Sequence, residues 1–187
     1  IDGWCSGDSA EGCSRRTEVR VLHDFKDKMG ESTMNYRLAT SNDIDLLVTM
    51  RLEFINAHGD DEKCEELRKN CYRYFYDKAF NEDGCDVILA EEDGTCIGTG
   101  IVFYYDSVPS LFNPTGKNCY VTSMYVAPGY RGRGVGTEIL ERVIECAKKR
   151  GVTAMFLSAS EMGRPLYEKR GFTDSKNGMM LDLKTEV

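Results

Sequence analysis

The stretch Val126-Ala127-Pro128-Gly129-Tyr130-Arg131-Gly132-Arg133-Gly134-Val135-Gly136-Thr137 constrains this chain more than any other. It joins a strand-like run, Tyr120–Val126, to a helix whose Val135, Ile139, Leu140, Val143, Ile144 and Ala147 recur at helical spacing. Glycines at 132, 134 and 136 let the backbone turn sharply and bring its N–H groups near a ligand. The first N–H groups of a helix have no internal partner, and the helix dipole is positive there. That end suits a phosphate or diphosphate, and Arg131 and Arg133 offer charge-assisted donors. Two other phosphate patterns do not fit. No Gly-Lys-Ser/Thr occurs, and the third glycine of a dinucleotide fingerprint would fall at position 139, which is Ile.

The elements around this turn predict one mixed α/β (α+β) domain. Asn35–Ala39 reads as a strand, and Thr40-x-x-Asp43 as a capping box. Ile44, Leu47, Met50, Phe54 and Ile55 then mark a helix to about Asn56. A second helix runs from Glu62 to Phe80, with Leu67, Cys71, Phe75 and Ala79 on one face. Asp86–Glu91 and Cys96–Tyr105 flank Asp93-Gly94, a hairpin signal. Gly151 ends the helix after the glycine turn, behind Lys148-Lys149-Arg150. Val152–Ser158 reads as a strand and Glu161–Arg170 as a helix stopped by Gly171. Phe172–Thr173 and Gly178–Leu183 read as closing strands. The order β-α-α-β-β-β-α-β-α-β-β gives a largely antiparallel central sheet flanked by helices. Residues 1–33 lack sustained periodicity and read as an extension, flexible or added in expression; Met29 and Met34 are alternative starts. Residues 34–187 read as the domain.

Charge and rare residues exclude several functions. There are 24 Lys and Arg against 31 Asp and Glu, a net charge of −7. An acidic chain is a poor general binder of nucleic acid. The apolar run Ile101–Tyr105 falls far short of the roughly 18 residues of a membrane-spanning helix. No secretory signal pattern is visible, so the expected location is the cytoplasm. The eight cysteines, at 5, 13, 64, 71, 85, 96, 119 and 146, form no Cys-x-x-Cys pair. Structural zinc is therefore not expected, and the thiols are expected reduced and mostly buried. His23 and His58 are the two histidines, and neither sits in a pattern suggesting a serine or cysteine hydrolase.

Arg131-x-x-Gly134-x-Gly136 resembles the (Arg/Gln)-x-x-Gly-x-(Gly/Ala) signature of the GNAT superfamily of acyl-CoA N-acyltransferases. Further on, Gly163-Arg164-Pro165-Leu166-Tyr167-Glu168-Lys169-Arg170-Gly171-Phe172 resembles that family's closing helix, which usually ends Leu-Tyr-x-x-x-Gly-Phe. The element order over about residues 35–183 matches as well. The family's usual Asn and Ala on this helix fall at Ser160 and Gly163.

The resemblance implies an N-acetyltransferase domain over residues 34–187, a GNAT-like sheet with splayed strands, and acetyl-CoA as co-substrate without a metal. The amides of Arg131, Gly132, Arg133, Gly134, Val135, Gly136 and Thr137 would hold the coenzyme diphosphate. Met124, Tyr125 and Val126 would pair their backbone with the pantetheine arm. Ser160, Gly163 and Tyr167 would lie along the coenzyme. Tyr167, near the thioester sulfur, would protonate the leaving thiolate, a role suited to a hydroxyl protonated at neutral pH. Glu53 is the candidate base for the amine.

Residues 131–170 hold nine Lys and Arg against five Asp and Glu; residues 40–130 hold seven against sixteen. A basic half suits the coenzyme phosphates. An acidic half, with Asp60-Asp61-Glu62 and Asp106, suits a cationic acceptor. The expected activity is therefore acetyl transfer to a primary amine of a small polyamine- or aminoglycoside-like molecule, in a ternary complex. A protein or peptide N-acetyltransferase and a non-catalytic acyl-CoA sensor are the alternatives. Homodimers are common in the resembled family and are the default oligomer.

Overall fold

The computed structural model describes residues 33–57, 59 and 61–174. His23, His58, Asp60, Cys5, Cys13, residues 1–32 and the expected strand at 178–183 lie outside the described residues.

Strand β1 (Met34–Leu38) leads into a short 3₁₀ turn and helix α1 (Ile44–Phe54). The expected cap is in place: Asp43 accepts from the Thr40 backbone N–H at 2.7 Å. Helix α2 (Glu62–Tyr74) is capped by Asp61, which accepts from the Cys64 N–H. The helix predicted to continue to Phe80 does continue, but as a π-helical turn over Phe75–Asn81. Strands β2 (Cys85–Glu92) and β3 (Thr95–Asp106) form the expected hairpin. Its tip needs two left-handed residues, and Asp93 and Gly94 supply φ of 50° and 78°. Strand β4 (Lys117–Val126), helix α3 (Val135–Lys149), strand β5 (Ala154–Leu157) and helix α4 (Arg164–Glu168) complete the described fold.

The sheet order is β1-β2-β3-β4-β5. The first three pairings are antiparallel, and β4–β5 is parallel. Alternation along β2 supplies two cores, one on each face. Leu89 packs with Leu47, Phe75 and Ile101 under α1 and the π-helical turn. Ile88 and Ala90 pack with Val102, Val121, Ile139 and Val143 under α3. Burying one such Leu or Ile side chain stabilises by about 1.5–3 kcal/mol. Gly100 lets α3 lie this close: a Cβ there would be 2.5 Å from Ile139 Cγ2 and 2.7 Å from Met124 Sδ.

Two features of β4 open the sheet. Its pairing with β5 runs only from Asn118↔Ala154 to Val121↔Leu157. Residues 122–126 continue beyond that pairing. In the same place the ladder to β3 jumps from Ile101↔Thr122 to Thr99↔Tyr125, so Ser123 and Met124 together face Gly100. Ser123 takes a left-handed φ of 49° at this bulge. A bulge bends the strand that carries it, and here it does so where β4 and β5 part.

The last elements differ from expectation. The helix predicted over 161–170 is confined to Arg164–Glu168. The N–H groups of Gly163 and Arg164 turn back onto the Ser160 carbonyl, and Pro165 has no N–H to extend the ladder. Gly171 (φ 87°) ends the segment as expected. Phe172 and Thr173 form no strand; the Phe172 N–H bonds back to Tyr167 O and closes the helix end. The six described cysteines carry free thiols, with Cys85 and Cys119 buried.

Candidate active site

The glycine turn passes through a 3₁₀ segment, Pro128–Tyr130, and enters α3 at Gly134. Gly132 and Gly134 have φ of 75° and 85°, which L side chains adopt only with strain. A Cβ at Gly129, Gly132 or Gly134 would meet nothing within 4 Å. The α3 ladder begins with Glu138 N–H donating to Gly134 O. The N–H groups of residues 132–137 precede it and donate to no acceptor among the described residues. Six unpartnered amides at and just before the positive end of a 15-residue helix are donors of the kind that binds a diphosphate. Val135 is buried in the core, so it offers this surface only its backbone.

The two arginines do not behave as their spacing suggests. Arg131 Nε donates to the Val126 carbonyl at 2.9 Å, inside the turn. Arg133 pairs with Glu92 at 2.9 Å and lies over the Tyr130 ring, 5.2 Å from its centre. Both brace the turn against the protein. Thr137 stands in the first turn of α3, and Gly136 lies beside α4: a Cβ there would make ordinary contacts with Val126 Cγ2 at 3.6 Å and Leu166 Cδ2 at 3.7 Å.

Met124, Tyr125 and Val126 lie on the part of β4 that runs past its β5 pairing. Tyr125 meets Glu53 electrostatically. Burial, then the Glu53 carboxylate, raise the Tyr125 phenol above its usual range, while Arg131 opposes them. The structure therefore brings Glu53 of α1 to the same end of β4 as the glycine turn.

Tyr167 is buried on α4, its ring edge-on to Phe172 at 5.8 Å. Burial raises its phenol pKa, so the group stays protonated at neutral pH. It lines a cleft of about 630 Å³ between α4 and residues 155–159, and its hydroxyl has no partner among the described residues. Ser160 and Gly163 are engaged with each other, the Gly163 N–H donating to Ser160 Oγ at 3.2 Å. A Cβ at Gly163 would sit 3.3 Å from the Tyr167 ring, so glycine leaves the tyrosine room there.

The acidic half of the chain directs many of its carboxylates to arginines outside it. Arg37 holds Asp43 and Glu91, Arg150 holds Asp83 and Asp86, and Arg133 holds Glu92. Asp61 caps α2. Sequence reading also missed a pair: Arg51 Nη1 donates to Ser123 Oγ at 2.8 Å, from α1 to the β4 bulge. The one signal for it was an arginine set between the apolar Met50 and Leu52.

A model of the acetyltransferase (GNAT) family matches residues 52–172. A Clostridium acetobutylicum protein, described as a predicted acetyltransferase and solved with acetyl-CoA, is 35% identical. It covers 81% of this chain and 97% of its own, with a TM-score of 0.73. Thialysine N-epsilon-acetyltransferase of Sus scrofa is 32% identical over 88 residues, 45% of this chain and 49% of that protein. Glucosamine 6-phosphate N-acetyltransferase of Trypanosoma brucei brucei is 34% identical over 64 residues, 34% of this chain and 44% of that protein. The matched stretch thus spans about half the length of these two curated relatives. Among the described residues no helix is long and apolar enough to cross a membrane. With the family match over most of the described residues, the open amide turn and the parting strands, the chain belongs to the GNAT acetyltransferase family.

Proposed function

We propose that this chain transfers the acetyl group of acetyl-CoA to the primary amine of a small molecule. The observation that carries the reading is the conjunction of six open amides at residues 132–137 with a β4 edge that outruns β5. Residues 132–137 and the α3 dipole fit a diphosphate, and open space at Gly132 and Gly134 leaves room for it. The backbone of Met124, Tyr125 and Val126 fits an amide-bearing arm. Bound acetyl-CoA supplies a thioester, an acyl group with a thiolate leaving group. Glu53 takes the proton from the attacking amine as the N–C bond forms, and Tyr167 gives its hydroxyl proton to the thiolate as the C–S bond breaks. Holding both reactants together supplies much of the rate.

A polycationic acceptor rested on the surplus of carboxylates in residues 40–130, and many of these are engaged in ion pairs and caps. The named acceptors of the two curated relatives, thialysine and glucosamine 6-phosphate, favour a small amine over a peptide. Thiol release from acetyl-CoA across an amine panel tests the proposal. Stimulation by small amines supports it. Response to peptides alone supports a peptide acetyltransferase, and acetyl-CoA binding without turnover supports a sensor.

A further inference from the structure

We infer that the cavity between α1, α2 and the β4 bulge is the acceptor subsite, and that it selects a primary amine carrying a carboxylate on an apolar body. The inference rests on the acetyl-transfer reading above. The cavity measures about 460 Å³, within the range of small-molecule sites. Tyr74, Phe75, Ile101 and Phe103 give it apolar walls. Arg51 is the one charged residue among its described lining.

Arg51 is held by neutral groups. Ser123 Oγ accepts one of its N–H bonds at 2.8 Å, and the Phe54 ring lies 5.5 Å from its guanidinium carbon. Among the described residues no carboxylate pairs with it. A guanidinium has five N–H donors, so most remain for a ligand. A fixed, planar cation beside apolar walls favours a carboxylate, which it meets through two parallel hydrogen bonds. A polycation would bring like charge to the same place. A phosphate monoester carries a charge near −2 at neutral pH, more than one arginine neutralises; a carboxylate matches it. Ser123 joins this cavity to the end of β4 where Tyr125 and Glu53 meet, so an acceptor anchored at Arg51 extends its amine toward that end.

The test measures thiol release at saturating acetyl-CoA with two matched probe sets. One is phenylalanine and its amide; the other is 6-aminohexanoate, its amide, 1,6-diaminohexane and an aminoalkyl phosphate. In at least one set the carboxylate is expected to exceed its amide at least 10-fold in kcat/KM. Arg51→Gln should raise the KM for that carboxylate about 10- to 100-fold and bring the carboxylate-to-amide ratio toward one; Arg51→Lys should restore part of the ratio. Arg51 also braces the bulge, so Asn70→Asp is the second variant. Asn70 lines the same cavity from the exposed side of α2. A carboxylate there should lower the ratio with Arg51 still present. Equal rates for carboxylate and amide in both sets, preference for the diamine or the phosphate, or a ratio that survives Arg51→Gln would each overturn the inference and leave acetyl transfer standing. Acetyl-CoA binding with no thiol release from any amine would overturn acetyl transfer itself and this inference with it.

Discussion

Arg131 Nε reaches back 2.9 Å to the carbonyl oxygen of Val126, so the first residue of the glycine signature fastens the turn to the end of β4. The bond ties the two parts of the proposed coenzyme site together, the β4 edge and the open amides. Its side chain thereby shapes the surface whose backbone is proposed to bind the coenzyme.

Two substitutions separate shape from contact. Arg131→Gln removes one exposed hydrogen bond, about 0.5–1.5 kcal/mol, and should weaken acetyl-CoA about 2- to 10-fold. Gly134→Ala meets open space, so its folding cost is the strain of φ 85°, about 1–2 kcal/mol. Gly134→Asp should cost less in folding, because Asp tolerates the left-handed region better and suits the N-cap of α3, but it sets a carboxylate beside the amides, so acetyl-CoA binding should be lost. Thermal melts and calorimetric titration check all three. An aspartate variant that binds like wild type would remove the diphosphate from this turn.

Tyr167→Phe isolates the proposed acid. The hydroxyl has no partner among the described residues, so its loss should leave the melting temperature nearly unchanged. Turnover should fall about 10²- to 10⁴-fold with acetyl-CoA affinity kept. Burial raises the phenol pKa above its usual 10, so loss of the acid should limit the rate only at pH values above 10. An unaltered rate would reduce Tyr167 to packing against Phe172.

Elements whose chemistry is local were legible in the sequence. Asp93-Gly94 announced its hairpin because a tight turn needs φ above zero, and the spacing of Val135, Ile139 and Val143 announced α3 because those residues face one core. The β4 bulge was not legible. Serine marks no left-handed position, and the residue opposite, Gly100, reads as one more glycine. The directions of Arg131 and Arg133 were hidden for a related reason: Val126 O is close in sequence but Glu92 is not, and only the fold brings it near. The Arg51 cavity draws on α1, α2, the π-helical turn, β3 and β4, so no sequence window contains it.

Acid stability should depend on Asp43. Its carboxylate accepts two bonds from Arg37 at 2.8 Å and caps Thr40, joining β1 to the start of α1. The Arg37 guanidinium holds its pKa well below the usual 3.8. A depressed carboxylate stabilises the fold fully above its unfolded pKa, and that contribution fades as pH falls below about 4. Asp43→Asn should cost about 1–2 kcal/mol at neutral pH. It should also flatten the loss of stability between about pH 4 and 2, because the titrating group is gone. Denaturant midpoints across that range read both effects; a wild-type acid slope in the variant would place the acid sensitivity elsewhere.

Ser123 carries two functions that separate on substitution. Its φ of 49° is strained for any residue with a side chain, by about 1–2 kcal/mol, and its hydroxyl accepts from Arg51. Ser123→Gly relieves the strain, though the looser unfolded chain offsets about 0.4–1 kcal/mol of that gain. Its stability should stay within about 1 kcal/mol of wild type. Ser123→Ala keeps the strain, and both variants lose the acceptor, so alanine should be the less stable of the two by the strain minus that offset, about 0.5–1 kcal/mol. Both release the guanidinium from the bulge, so both should raise the KM for the best acceptor while acetyl-CoA affinity holds. If alanine matched glycine in stability, the left-handed turn would not be the source of strain. If neither moved the KM, Arg51 would not need the bulge to face its ligand, and the bend in β4 would serve only to part it from β5.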